Sequence, residues 1–191
     1  MKVLLWIVGG LVGLVALALL GLFAAGFRSN AGRARIAITI ARPPAEVFPW
    51  LTEPQRLTQW VSWLMEVRAH GSTDAVVGRR STWIMSDRMN KTTIPIESEL
   101  VAVEAPHKLA ARIWLPESFM GGFKGEVTYT LEPKDGGTLF TYDGRFQYGS
   151  AMGRLFEPLV TPQAAKKLRA DLERLKQQVE SAPAPGLAGV R

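Results

Sequence analysis

Ile36-Ala37-Ile38-Thr39-Ile40-Ala41-Arg42-Pro43-Pro44-Ala45-Glu46-Val47-Phe48 is the stretch that decides the fold. Its first residues alternate Ile with smaller side chains, which predicts a strand with one well-buried face. Pro43 and Pro44 end that strand, because neither can donate to a sheet ladder. Their fixed φ suits the first turn of a helix, so a short helix is predicted from Ala45 to about Leu51. Val47, Phe48 and Leu51 give it an inner face. Thr52-Glu53-Pro54 then reads as a second helix start, with Thr52 as cap and Pro54 in the first turn. That helix carries Leu57, Trp60 and Val61.

Beyond Leu64 the pattern changes to strands and turns. Strands are predicted over Leu64–Ala69, Arg79–Ser86, Thr92–Glu104, Lys108–Leu115, Lys124–Glu132 and Thr138–Gln147. The turn Lys134-Asp135-Gly136-Gly137 places Asp-Gly between two alternating runs, a strong hairpin signal. From about Gly153 to Glu180 the apolar residues Leu168, Leu172, Leu175 and Val179 fall at helical spacing. Charged side chains, Asp171 among them, fill the remaining positions, which describes a long amphipathic helix. Pro158 and Pro162 are expected to kink or restart its first part. A long antiparallel sheet cannot leave its apolar face wet, and only this helix is long enough to cover it. The space between a curved sheet and one helix is a natural ligand cavity.

On the N-terminal side, Val3 to Phe27 holds no charged side chain. As a helix these residues rise about 37 Å, enough to span a hydrocarbon core of about 30 Å with some tilt. An uncleaved anchor is expected over a cleaved signal peptide, whose apolar region runs about 7–15 residues. Arg28, Arg33, Arg35 and Arg42 follow the segment, against Lys2 and the α-amino group before it. The positive-inside rule therefore places the globular domain in the cytoplasm, on a single-pass cell-membrane protein. Gly9 and Gly13 form a GxxxG pair that offers a weak homodimer contact.

The chain has no Cys, which excludes disulfides, thiolate metal sites and Cys nucleophiles. Its net charge is +6, but no Lys/Arg-rich run of the kind that binds nucleic acid occurs. The expected organisation is an anchor over residues 1–28, a linker over 29–34, one domain over 35–180 and a disordered tail over 181–191.

The opening quoted above, followed by Leu51-Thr52-Glu53 and Trp60, resembles the START-like, or polyketide cyclase/dehydrase-like (SRPBCC), superfamily. The resemblance extends through the strand order to the final helix. It implies an α+β helix-grip fold. A curved antiparallel sheet of about seven strands would wrap one long C-terminal helix, with two short helices after strand 1. It says little about function, because such folds host lipid carriers, receptors, cyclases and uncharacterised proteins alike. The N-terminal anchor departs from the soluble members and favours action at the bilayer.

No residue pattern points to catalysis, and no cofactor or metal site is expected. His70 and His107 both read as exposed and lack metal-ligand spacing. Glu97 and Glu99 share a strand face that reads as solvated. The expected ligand-binding residues are Trp60, Trp83, Phe123, Val127, Tyr129, Phe140, Tyr142, Phe146, Phe156 and Leu168. Tyr129 and Tyr142 either orient a ligand or satisfy their own hydroxyls on the backbone. Leu115 to Phe123 is apolar and Gly-containing, and Phe119 and Met120 are expected to gate the cavity or touch the membrane.

Three functions fit this pattern. The first is a membrane-tethered binding protein for a lipid or other hydrophobic small molecule. The second is a cyclase, dehydratase or hydrolase acting on a hydrophobic substrate. The third is an interaction protein with a collapsed cavity. An apolar cavity above about 300 Å³ separates the first two from the third. The lack of an acid/base constellation favours the first.

Overall fold

The computed structural model describes residues 2–26, 32–87, 91–116 and 122–183. Phe119 and Met120, and residues 184–191 of the tail, lie outside the described residues.

Helix α1 spans Lys2–Gly26, and its apolar side chains are exposed along most of its length. Its segment Leu5–Ala24 is long and apolar enough to cross a membrane by length and composition, a test that a signal sequence also passes. Strand β1 covers Arg33–Ile40, two residues earlier than expected at the linker end. Three short helices follow rather than two: α2 (Pro44–Val47), α3 (Pro49–Thr52) and α4 (Pro54–Trp60). Pro49 causes the extra break, because it has no N–H to continue the helical ladder past Phe48. Thr52 is not the cap of α4. Its hydroxyl donates back to the carbonyls of Phe48 and Pro49, both at 3.4 Å. Glu53 takes the cap position, held extended by the proline that follows it. The indole N–H of buried Trp60 donates to the Trp50 carbonyl at 2.9 Å, locking α4 onto α3.

Strands β2 (Leu64–His70), β3 (Arg80–Asp87), β4 (Thr92–Glu104), β5 (Lys108–Leu115), β6 (Phe123–Lys134) and β7 (Gly137–Tyr148) complete the sheet. All neighbours are antiparallel, in the order β1-β7-β6-β5-β4-β3-β2. Asp135 and Gly136 both take positive φ in the two-residue β6–β7 turn, with Lys134 paired to Gly137. This is the geometry that makes Asp-Gly a hairpin signal.

Helix α5 covers Ala151–Ser181 and runs through both Pro158 and Pro162 instead of restarting. Each proline removes one ladder hydrogen bond, and the long helix tolerates both. The Ser150 hydroxyl caps its start by accepting from the Gly153 N–H at 3.0 Å. Leu172, Leu175 and Val179 on its second half are buried in one core with Ile40, Leu131 and Phe140. Glu157 ties the first half of α5 to the start of the domain. Its Oε1 accepts from the Gly32 N–H at 2.8 Å and from the Thr161 hydroxyl at 2.7 Å.

Candidate functional site

A cavity of about 390 Å³ lies between the concave sheet face and the first half of α5. Its position follows from side-chain size. The second half of α5 fills the sheet with Leu172, Leu175 and Val179, whereas the first half presents Thr161, Ala164 and Ala165. The sheet is hollow opposite them, with Ser81, Ser98 and Ala111 on β3, β4 and β5. Large side chains close the walls: Trp60 and Trp63 at α4 and its exit, Trp83 on β3, and Phe123 and Phe146 on the last hairpin.

Eight of the ten expected residues come together on this wall: Trp60, Trp83, Phe123, Val127, Tyr129, Tyr142, Phe146 and Leu168. Phe140 and Phe156 do not. Phe140 is fully buried behind Tyr129, ring centroids 5.9 Å apart, and fills core rather than facing the void. Strand alternation assigned its face, but not its distance from the cavity along the strand. Phe156 lies twelve residues before Leu168, about 120° around the helix from it, and is 46% exposed.

Two glycines let the aromatic rings lie down on the sheet. A Cβ at Gly144 would meet the Tyr142 hydroxyl oxygen at 2.6 Å, and one at Gly125 would meet the Phe146 ring at 2.6 Å. Both glycines therefore mark close approaches. Tyr129 and Tyr142 pack edge to face, centroids 5.6 Å apart. Neither hydroxyl has a hydrogen-bond partner among the described residues, so the backbone does not satisfy them.

Burial pushes the Tyr129 phenol far above its ordinary value, and does the same to Tyr142 with smaller contributions from Tyr129 and Asp143. Burial also raises Tyr148, countered in part by the Thr161 hydroxyl. These are all three tyrosines of the chain. Unfolded phenols ionise near pH 10, about their ordinary value, while the folded chain keeps its protons to higher pH. The native state then binds more protons than the unfolded state, so stability falls as pH rises past about 10. At about pH 11 Tyr129 and Tyr142 of the folded chain are expected to contribute almost no tyrosinate absorbance. Their signal should appear together with loss of the far-UV circular dichroism, and an earlier rise at constant dichroism larger than the one-tyrosine share of Tyr148 would refute the buried placement.

Sequence reasoning missed the charged residues of the wall. Arg79 lines the cavity, with Nη1 donating to the carbonyls of Thr52 at 3.2 Å and Thr73 at 2.7 Å. Burial lowers its pKa, partly offset by Asp74. Asp171 also lines the cavity and is 3% exposed. The signal for Asp171 was its spacing, three residues after Leu168 and four before Leu175, on the stripe those two define. Glu97 and Glu99 lie on the other face of β4. Glu97 accepts from the Thr82 hydroxyl at 2.9 Å, and Glu99 pairs with Arg80 at 3.3 Å. His70 meets Thr82 at 2.8 Å and His107 meets the Leu131 carbonyl at 3.2 Å, both away from the cavity wall.

The comparisons agree with this architecture. A family model described as polyketide cyclase/dehydrase and lipid transport matches residues 32–180. A solved structure from Rhodobacter sphaeroides is similar at 18% identity and a TM-score of 0.62, covering 80% of this chain and 95% of that one. One from Mesorhizobium loti is similar at 20% identity and a TM-score of 0.61, covering 79% and 98%. DynU16, a protein of the dynemicin biosynthetic locus, is similar at 20% identity and a TM-score of 0.56, covering 78% of this chain and 48% of its own. At these identities the structures share the fold. A search of curated proteins returns no match.

Proposed function

Because the chain belongs to the polyketide cyclase/dehydrase and lipid transport family, we propose that it is a membrane-tethered binding protein for an apolar small molecule or lipid. The observation that carries this reading is the open cavity of about 390 Å³, walled by aromatic and aliphatic side chains. That volume is typical of small-molecule sites, at about 300–1,000 Å³. The Tyr129 and Tyr142 hydroxyls, without a hydrogen-bond partner among the described residues, are the sparse polar groups that such a site uses for orientation. Held protonated, these phenols can donate hydrogen bonds to a ligand.

Tethering is supported by α1 and by its short connection to the domain. The six residues between Gly26 and Arg33 reach about 24 Å at most, so the domain would sit against the bilayer. Met152, Phe156, Leu159 and Val160 expose an apolar patch on the first half of α5, the helix that α1 contacts. Val160 belongs to both the patch and the cavity wall, so a ligand leaving the bilayer would meet the cavity directly.

The test is native mass spectrometry of the full chain, released gently from membranes. The expected result is one apolar molecule of defined mass, retained in stoichiometric amount and absent from an Ala111→Phe chain. Equal lipid loads on both chains would overturn the reading and favour an interaction protein.

A further inference from the structure

The cavity is apolar except for a few groups, and the carboxylate among them lacks a cationic counterpart among the described residues. Asp171 is 3% exposed and lines the cavity. Its Oδ1 accepts a long hydrogen bond from the Ser62 N–H at 3.3 Å. Its Oδ2 has no hydrogen-bond partner among the described residues. No Lys, Arg or His of the described residues lies within ion-pair distance of it. Lys167, one turn earlier, reaches the same residue as Asp171 does but forms no ion pair with it: its Nζ donates to the Ser62 hydroxyl at 2.6 Å and sits 4.8 Å from the Trp63 ring centroid.

Among the described residues the fully buried side-chain oxygens without a partner are Asp143 Oδ1 and Glu157 Oε2, so the unpartnered Asp171 Oδ2 keeps some accessible surface. A carboxylate oxygen in so apolar a cavity is normally compensated by pairing. The sheet side of the wall carries the hydroxyls of Ser81, Ser98, Tyr129 and Tyr142, and none of them donates to Asp171. Arg79, the one cation on the wall among the described residues, spends Nη1 on two backbone carbonyls. The protein thus leaves an acceptor open toward the ligand space.

We infer that Asp171 recognises a hydrogen-bond-donating head group, a hydroxyl or an ammonium, on an otherwise apolar ligand. This rests on the cavity-binding reading above and names the ligand class for that same site. The head group donates to Oδ2 while the apolar body lies along Trp60, Trp83 and Val127. A carboxylate-headed ligand is disfavoured, because two carboxylates would face each other in a water-poor space.

The experiment titrates the full chain in nanodiscs with octylamine, 1-octanol and octanoate. The Ala111→Phe chain serves as the blank that removes partitioning into the bilayer. Octylamine and 1-octanol are expected to bind above the blank, with octanoate at least about tenfold weaker, and Asp171→Asn to cost octylamine roughly tenfold to hundredfold in affinity. Asn keeps an acceptor for the Ser62 N–H, and the head-group ranking of the unmodified chain tests the inference without any variant. Equal binding of all three probes, or an Asp171→Asn chain that binds octylamine as before, would overturn the inference and leave the cavity reading intact. Binding of none above the blank, together with no co-purified molecule, would overturn both.

Discussion

Trp60→Ala is expected to lower the unfolding free energy of the domain by about 3–5 kcal/mol. Trp60 is 2% exposed, and its truncation deletes the largest fully buried side chain of the core. The loss has two parts. One is the transfer energy of the indole together with the void it leaves. The other is the Trp50 carbonyl, which loses its donor at 2.9 Å and stays buried. Domains of this size are stable by about 5–15 kcal/mol, so the variant would stand close to the unfolding threshold. Denaturant titration followed by far-UV circular dichroism measures it. A change below about 1 kcal/mol would mean that α3 and α4 are held by something other than this indole.

Ala111→Phe is expected to abolish ligand uptake without a matching loss of stability. Ala111 sits on β5 between Leu100 on β4 and Val127 on β6, and its side chain borders the cavity. A phenyl group there occupies space that a ligand would need. In a packed core the same change would force neighbours aside and cost about 1–3 kcal/mol. Over a void it fills space, so stability should change by less than about 1 kcal/mol or rise. Uptake should fall by at least about tenfold, more than 1.4 kcal/mol of contact energy. Destabilisation with unchanged uptake would indicate a collapsed cavity in solution and remove the basis for placing the ligand in this cavity. Heat denaturation and ligand titration on the same sample separate these outcomes.

The two substitutions probe different halves of one design. Trp60 belongs to the segment that converts strand into helices and closes one end of the sheet. Ala111 belongs to the hollow that the first half of α5 leaves open. The polar groups then give that hollow its chemistry: two phenols on β6 and β7, and Asp171 on α5. Their separation across the cavity suits a ligand with an apolar body and at least one polar end.

Much of this was written locally. Alternating Ile residues, Pro43 and Pro44, the Asp135-Gly136 turn and the spaced Leu residues of α5 each respond to near neighbours in the chain. Strand order and the covering helix follow from them, because a sheet with one apolar face needs a cover. The errors were also local in origin. Pro49 split a helix that its apolar spacing would have continued. Pro158 and Pro162 failed to interrupt α5, whose length outweighs the lost ladder bonds.

The amino-acid sequence by itself determined the helix-grip architecture, the apolar N-terminal helix and the faces of the strands that turn inward. These depend on periodicity and backbone chemistry, which act over a few residues. Only the tertiary structure decided where along those faces the packing stops and the cavity begins. It left Phe140 in the core and turned Phe156 outward. It brought Asp171 from an apparently solvated face onto the wall, because the curvature of the sheet and the docking angle of α5 set which inward side chains meet matter and which meet space.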